Sequence, residues 1–242
     1  MRALISAATA TLWLLSLSGT GNSLTAEEII EDFRKVVLGA EASSLPRNSA
    51  IVRKFAGPVR FYLHNRSSLD RQAEAERFIL ALPTIIRGLD VQIVEDRDRA
   101  NFHLYIADRQ DYRGLVEAEI YKRKLDRAPG RCFVAAVAKS GRIQRSTAII
   151  ISDEGESVFK RCLIEEVLQG LGPLNDASSA EDSLFNDRST IDRLTEHDRL
   201  LLNILYDPRL KPGMRWRQAR RVLPDVVAEA MARLSGPIGA TD

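Results

Sequence analysis

The chain has 242 residues, 45% of them apolar and 28% charged, a balance that suits one medium-sized folded domain with a tail and excludes a disordered or fibrous polypeptide. Its 35 basic and 33 acidic residues leave a net charge of +2, so composition offers no argument for a nucleic-acid partner. Two cysteines without a C-x-x-C pairing, and three histidines (His64, His103 and His197) in separate segments, exclude the usual short-spaced zinc sites.

Met1-Arg2 is followed by an almost wholly apolar or small stretch over 3–18, then Gly19, Thr20, Gly21 and Asn22, before charge begins at Glu27-Glu28. That is the layout of a secretory signal, assigned here to 1–24 with its boundary within 20–26. The expected location is therefore exported, either periplasmic or secreted. The run is too short and too rich in Ser and Thr for a membrane span, an uncleaved anchor being the other reading. Export would place Cys132 and Cys162 in an oxidising compartment, where a disulfide is the default for two cysteines. It would close a loop of roughly 30 residues, worth about 3 to 4 kcal/mol. The alternative is two buried free thiols.

The mature chain opens with a helix over 26–38, where Ile29, Ile30, Phe33, Val36 and Val37 recur at helical spacing. A polar connector follows over 39–50, then an alternating strand over 59–64. A long helix is expected from Ser68 to about Gly88, with Pro83 kinking it or ending it early. Two strands follow at 91–94 and 101–106. The charged stretch 108–129 is irregular, with a helix near 115–122. The last strands are 132–137 and 148–151, and a helix covers 158–171. A polar loop over 175–191 leads to Thr195, the expected N-cap of a helix ending at Tyr206. Segment 214–234 reads as helical, in two pieces around Pro224. No repeat or low-complexity tract is visible.

The most informative segment is Glu165-Glu166-Val167-Leu168-Gln169-Gly170-Leu171-Gly172-Pro173-Leu174-Asn175. A zinc-protease helix reads H-E-x-x-H-x-x-G-x-x-H: two histidines one turn apart and a third beyond the glycine hold the metal, and the glutamate polarises its water. Here Glu166 stands at the catalytic-glutamate position and Gly172 at the turn. Glu165, Gln169 and Asn175 replace the three histidines. Glu165 and Gln169 are oxygen donors at i and i+4 that could serve a hard cation, though such ions want six or more oxygens. The plainer reading of Glu165-Glu166 is a solvated carboxylate pair on a helix face.

The order of elements from Val59, with this helix near its end, resembles the catalytic domain of the metzincins, most closely the matrixin branch. In that family the motif helix is followed by a tight Met-turn and a helix of the pattern L-x-x-x-D-x-x-x-I-x-x-L-Y-G. Ser183-Leu184-Phe185-Asn186 sits where the turn would be, with Leu184 or Phe185 in place of the methionine. Leu194, Asp198, Leu205 and Tyr206 match the last helix in register, Leu202 takes the isoleucine position, and Asp207 replaces the closing glycine. The resemblance spans 59–206. It implies a zincin-like α+β fold, a mixed sheet of four to five strands on helices, over 25–210, with an extra C-terminal helix over 211–242. It also implies that Asp198 ties its helix to the turn. The segment 162–214, with Tyr206-Asp207-Pro208-Arg209-Leu210, also resembles an uncharacterised family of exported bacterial proteins.

Fold and chemistry separate here. The apolar faces and turns that folding needs survive, whereas Gln169 and Asn175 bind zinc poorly through amide oxygens, so Glu166 would have no metal-bound water to activate. No metal or cofactor is expected. The expected function is a non-catalytic binding or scaffolding module that uses the relic peptide cleft, formed by Glu165, Gln169, Asn175 and Asp176 under an edge strand at 132–137, with a protein or peptide partner. The alternative is a peptidase-like hydrolase in which Glu166 is catalytic, helped by Glu165 and Asp176, with an atypical metal or none. Ser178-Ser179 has no nearby histidine in sequence to act as base. The Arg215, Trp216, Arg217, Arg220 and Arg221 patch is read as the solvated side of an amphipathic segment.

Overall fold

In the computed structural model the described residues are 24–38, 50–175, 178–181, 183–186 and 188–234; residues 1–23 of the expected signal segment, Asp176 and residues 39–49 of the connector lie outside them. The N-terminal stripe of apolar residues forms α1 (Ala26–Phe33), capped by Thr25 with Glu28 in a reciprocal capping box, and runs on into a π-helical turn, Arg34–Leu38. Ile29, Phe33, Val36, Val37 and Leu38 on it are buried.

The alternating segment from Val59 becomes β1 (Val59–Arg66). The next helix, α2 (Gln72–Ile85), contains Pro83 in its last turn and stops two residues later. Proline removes one i→i−4 bond, which costs least where the helix is about to end. β2 (Val91–Ile93) and β3 (Phe102–Ala107) follow. A helix does occupy the charged stretch, but α3 (Arg109–Leu115) begins six residues before the expected 115 and continues as a second π-helical turn, Val116–Tyr121. Next come β4 (Cys132–Lys139) and β5 (Arg142–Ile151). The last strand is thus longer than the expected 148–151. Its polar first half pairs with β4 through a two-residue turn, Ser140-Gly141, both at positive φ. Such turns match the strand twist, and Gly141 is also required by space: a Cβ there would fall on the backbone of Gly213 and Val52.

The five strands form one mixed sheet in the order β2-β1-β3-β5-β4. β2, β1, β3 and β5 run parallel, and β4 is an antiparallel edge. The central strands are covered on both faces, which explains their near-continuous apolar sequence. On one face Phe61 stacks on Phe102 with centroids 4.4 Å apart, and Leu104, Ile106, Ala148 and Ile150 join the main core. On the other, Tyr105, Ile149 and Ile151 meet Tyr112 and Val116 from α3 and its continuation.

The main core is closed by α4 (Glu156–Gly170), which lies against β4 and β5, and by α5 (Glu196–Tyr206), a short α6 (Trp216–Ala219) and α7 (Leu223–Leu234). The C-terminal segment is indeed in two pieces, but the break falls at 220–222. Pro224 sits in the first turn of α7, where its missing N–H costs nothing. The chain is thus a mixed α+β fold with seven α-helices and a five-stranded sheet among the described residues, and no helix there is long and apolar enough to cross a membrane.

Cys132 at the start of β4 and Cys162 on α4 form a disulfide, with Cα atoms 5.7 Å apart. It ties the sheet's edge to the helix beneath. Replacing both cysteines by serine should lower the unfolding free energy by about 3 to 4 kcal/mol in a non-reducing urea titration, since the bridge closes a separation of 30 residues. An unchanged midpoint would mean that the tether constrains nothing in the unfolded chain.

Candidate functional site

The residues of the zincin-like segment are carried by the last two turns of α4. Counting from Cys162, Glu165, Glu166 and Gln169 stand at i+3, i+4 and i+7, so helical spacing puts all three on the side that the disulfide holds against β4. Leu163 and Val167 are buried in the main core. Gly170 is where helix meets sheet: a Cβ there would lie 2.5 Å from the Phe102 ring. Gly172 follows the helix end with a φ of +145°, which a side chain would strain, and its N–H is donated to the carbonyl of Gln169.

This face is not bathed in solvent. Glu166 is 5% and Gln169 8% exposed. Glu165 accepts a 3.1 Å bond from Nε of Arg161, whose guanidinium also reaches the carbonyl of Ser189. Asn175 is buried and directs its amide N–H groups at the carbonyls of Lys35 and Val36, at 3.2 and 3.0 Å. The position of the third would-be ligand therefore anchors the π-helical turn after α1. A sequence view of the motif alone had no means of finding that contact.

The turn expected after the motif helix is built around Asp198, the N3 residue of α5. Its buried carboxylate accepts from Ser183 Oγ at 2.6 Å and from the Leu184 N–H at 3.1 Å, and it also closes the capping box with Thr195. Leu184 and Phe185 are wholly buried. Tyr206, at the far end of the same helix, donates its hydroxyl to the carbonyl of Leu171, so α5 grips both the turn and the end of α4.

Beside this turn lies a cluster that sequence reasoning missed. Asp32 on α1 accepts from Ser178 Oγ at 2.7 Å, from the Ser179 N–H and hydroxyl at 2.7 and 2.8 Å, and pairs with His197 Nε2 at 2.7 Å. The expectation that no histidine lies near Ser178-Ser179 is corrected by the fold, which brings His197 across from α5. The order of contacts is nonetheless wrong for a serine nucleophile. Both hydroxyls donate to the carboxylate, and neither rests on the imidazole that would have to take its proton. Burial pushes Asp32 up, but the His197 bond, the Ser179 N–H and the two serine hydroxyls outweigh it and hold the carboxyl at about 2.

The other two histidines, expected to stay apart, also meet. β1 and β3 are parallel neighbours, with Tyr62 opposite His103 and His64 opposite Tyr105. His64 Nε2 lies 3.3 Å from His103 Nδ1, and the His64 ring stacks on Tyr105 with centroids 3.8 Å apart. Burial, with the cationic form of His103 and Arg97 nearby, lowers His64 to about 4, so its imidazole is neutral at pH 7, and burial with Arg97 lowers His103 as well. Burial and Glu119 push Tyr105 up to about 12. The period-two alternation of Tyr62/His64 and His103/Tyr105 was the available signal, once the strands were known to be neighbours. Two imidazoles do not make a metal centre, and among the described residues no group of three or more His, Cys, Asp or Glu is placed to hold an ion.

Residues 26–225 match the family described as "Protein of unknown function (DUF2927)". The chain belongs to that family. No curated protein matches the chain.

The Asp32 cluster has a definite pH signature. A carboxyl lowered from 3.8 to about 2 in the fold stabilises it fully above pH 3.8 and loses that contribution as pH falls through 2, a difference of about 2 kcal/mol. Urea unfolding at pH 5, 4, 3 and 2 should show the wild type losing this amount relative to Asp32→Asn, which lacks the titration. Parallel losses in the two proteins would show that Asp32 does not titrate in this window.

Proposed function

We propose that this chain is an exported, non-catalytic binding module of zincin-like fold, which takes an extended peptide or protein segment along β4 by strand addition. The observation that carries this reading is the placement of β4: an antiparallel edge strand, its outer side unpaired among the described strands, pinned by Cys132–Cys162 over the face of α4 that bears Glu165, Glu166 and Gln169. An edge strand offers main-chain donors and acceptors to an incoming chain, and Val137, 56% exposed, offers an apolar contact beside them.

Three further observations support the zincin-like part of the reading. The sheet has a single antiparallel strand, at its edge; α4 lies under that edge; and Asp198 clasps the turn after α4 as the resemblance to metzincins implies. Donor chemistry supports the non-catalytic part of the reading. Position 165 is engaged by Arg161, and position 175 presents amide N–H groups to backbone carbonyls, so neither is arranged to share a metal with Gln169. Export is part of the proposal; it rests on the apolar start of the sequence and agrees with the disulfide.

The test is a library of extended peptides offered to the mature protein, with hydrogen exchange followed residue by residue. A bound peptide is expected to slow exchange of β4 amides between 132 and 139, to emerge uncleaved, and to do so on protein carrying no stoichiometric zinc. Protection elsewhere with β4 unchanged would overturn strand addition. Cleaved products that vanish in Glu166→Gln, or about one zinc per chain lost in Gln169→Ala, would overturn the non-catalytic reading in favour of a hydrolase.

A further inference from the structure

A concave pocket of about 990 Å³ lies where the segment before β1, the end of α2, the β4–β5 hairpin, the end of α5 and α7 meet. None of Glu165, Glu166, Gln169 and Asn175 lines it. Its walls are cross-braced by backbone and amide bonds. Lys54 N–H donates to the Gly141 carbonyl at 3.1 Å, and the Ile143 N–H donates back to the Lys54 carbonyl, so Lys54 and Arg142 stand side by side in a parallel bridge. Asn203 on α5 accepts from the Arg87 N–H at 3.1 Å and donates to the Ile85 carbonyl at 2.8 Å. Gly213 donates to the Val52 carbonyl, which fixes the turn that carries Lys211.

The charge on these walls is out of balance. Asp207 and Glu229 both line the pocket, but Asp207 holds Arg209 through two bonds of 2.8 Å, and Glu229 holds Arg209 and reaches Arg233. Those four groups neutralise one another. Lys54, Arg87, Arg142 and Lys211 remain, with Asp90 as the one other carboxylate in the lining. No salt bridge among the described residues includes any of these four cations. Lys54 is the telling member, because it is only 6% exposed. Its ammonium donates to the carbonyls of Leu205 and Asp207, at 2.8 and 3.1 Å, and packs 5.5 Å from the Tyr206 ring. Burying an ammonium beside a second lysine is unfavourable, and Asp207, itself engaged by Arg209, offsets it only in part. Burial lowers Lys54 to about 8, with Asp207 opposing and Lys211 adding to the shift, so it is still mostly cationic at pH 7.

We propose that this pocket binds a small multivalent oxyanion, a molecule bearing two or more adjacent phosphate or carboxylate groups, held by Lys54, Arg87, Arg142 and Lys211. Cations carried by separate segments of one pocket lining favour several negative groups over one, because each added charge on the ligand can meet a different cation. Guanidinium forks from Arg87 and Arg142 give directional bonds, and the two lysines supply point charge.

Pyrophosphate, citrate and acetate are titrated by calorimetry into the full mature protein in about 0.15 M salt, where exposed charges are screened. Binding of pyrophosphate or citrate is expected with a Kd below about 1 mM, and of acetate at least about tenfold more weakly. Preference between the first two separates phosphate from carboxylate ligands. Arg87→Ala, Arg142→Ala and Lys211→Ala, all at exposed positions, are each expected to weaken binding about fivefold or more with unchanged melting temperature. Lys54→Met tests the buried cation, and a fold check by circular dichroism accompanies it. Failure of both multivalent anions to bind, acetate binding as tightly as they do, or binding insensitive to the three exposed substitutions would overturn the proposal. Arg87→Ala and Lys211→Ala leave β4 untouched, so their effect on anion binding is read apart from peptide addition at that strand, whereas Arg142 pairs with Lys139 of β4.

Discussion

Two buried carboxylates organise the connection between α4 and α5. Asp198 clasps Ser183 and Leu184 from α5, and Asp32 clasps Ser178, Ser179 and His197 from α1. A buried carboxylate is unfavourable when bare, and each of these is satisfied by several donors, so removing either would leave groups on two or three segments unpaired at once. Without them the stretch over 178–186 would have no local reason to keep one shape. Its described residues have no helix or strand, and its apolar anchors, Leu184 and Phe185, are buried in the core beside the clasped turn. The consequence extends to α4, whose end is fixed by Tyr206 and by Asn175.

The same economy of contacts explains why polar residues on the zincin-like face are so well buried. In a metal site, positions 165, 169 and 175 would point at one ion. Here Glu165 turns to Arg161 and Asn175 to the carbonyls of Lys35 and Val36. The N-terminal helix is thereby stitched to the end of the motif helix. These contacts tie the segment into its neighbours, while the edge strand above it keeps an outward row of backbone groups. Function is proposed at that edge, where backbone groups lack a strand partner among the described strands, and in the basic pocket, where four cations share one lining.

Legibility in the sequence followed the range of the forces involved. Helices α1, α2, α4 and α5 and strands β1 to β3 were readable because apolar periodicity and capping residues such as Thr25 and Thr195 act within a few positions. Residues 109–114 were not, because α3 gains its stability from Tyr112 against the outer face of the sheet rather than from a strong stripe. Residues 142–147 were not, because Arg142, Gln144 and Arg145 are exposed and the strand is defined by its partner β4. The disulfide was readable only from the count of two cysteines and a signal-like start.

The sequence by itself determined most of the element order and the absence of histidine at 165, 169 and 175; it made a disulfide the default for two cysteines behind a signal-like start, and the resemblance to metzincins implied that Asp198 ties its helix to the turn. The element order and the missing histidines depend on residue identity and on local spacing. Only the tertiary structure decided that Asp32 would gather Ser178, Ser179 and His197, that His64 would touch His103, and that Lys54, Arg87, Arg142 and Lys211 would ring one pocket. Those groups are separated by up to 165 positions in the chain. Their meeting depends on which strands become neighbours and on how helices cross the sheet, and no local pattern carries that information, because it is set by the burial of the whole core at once.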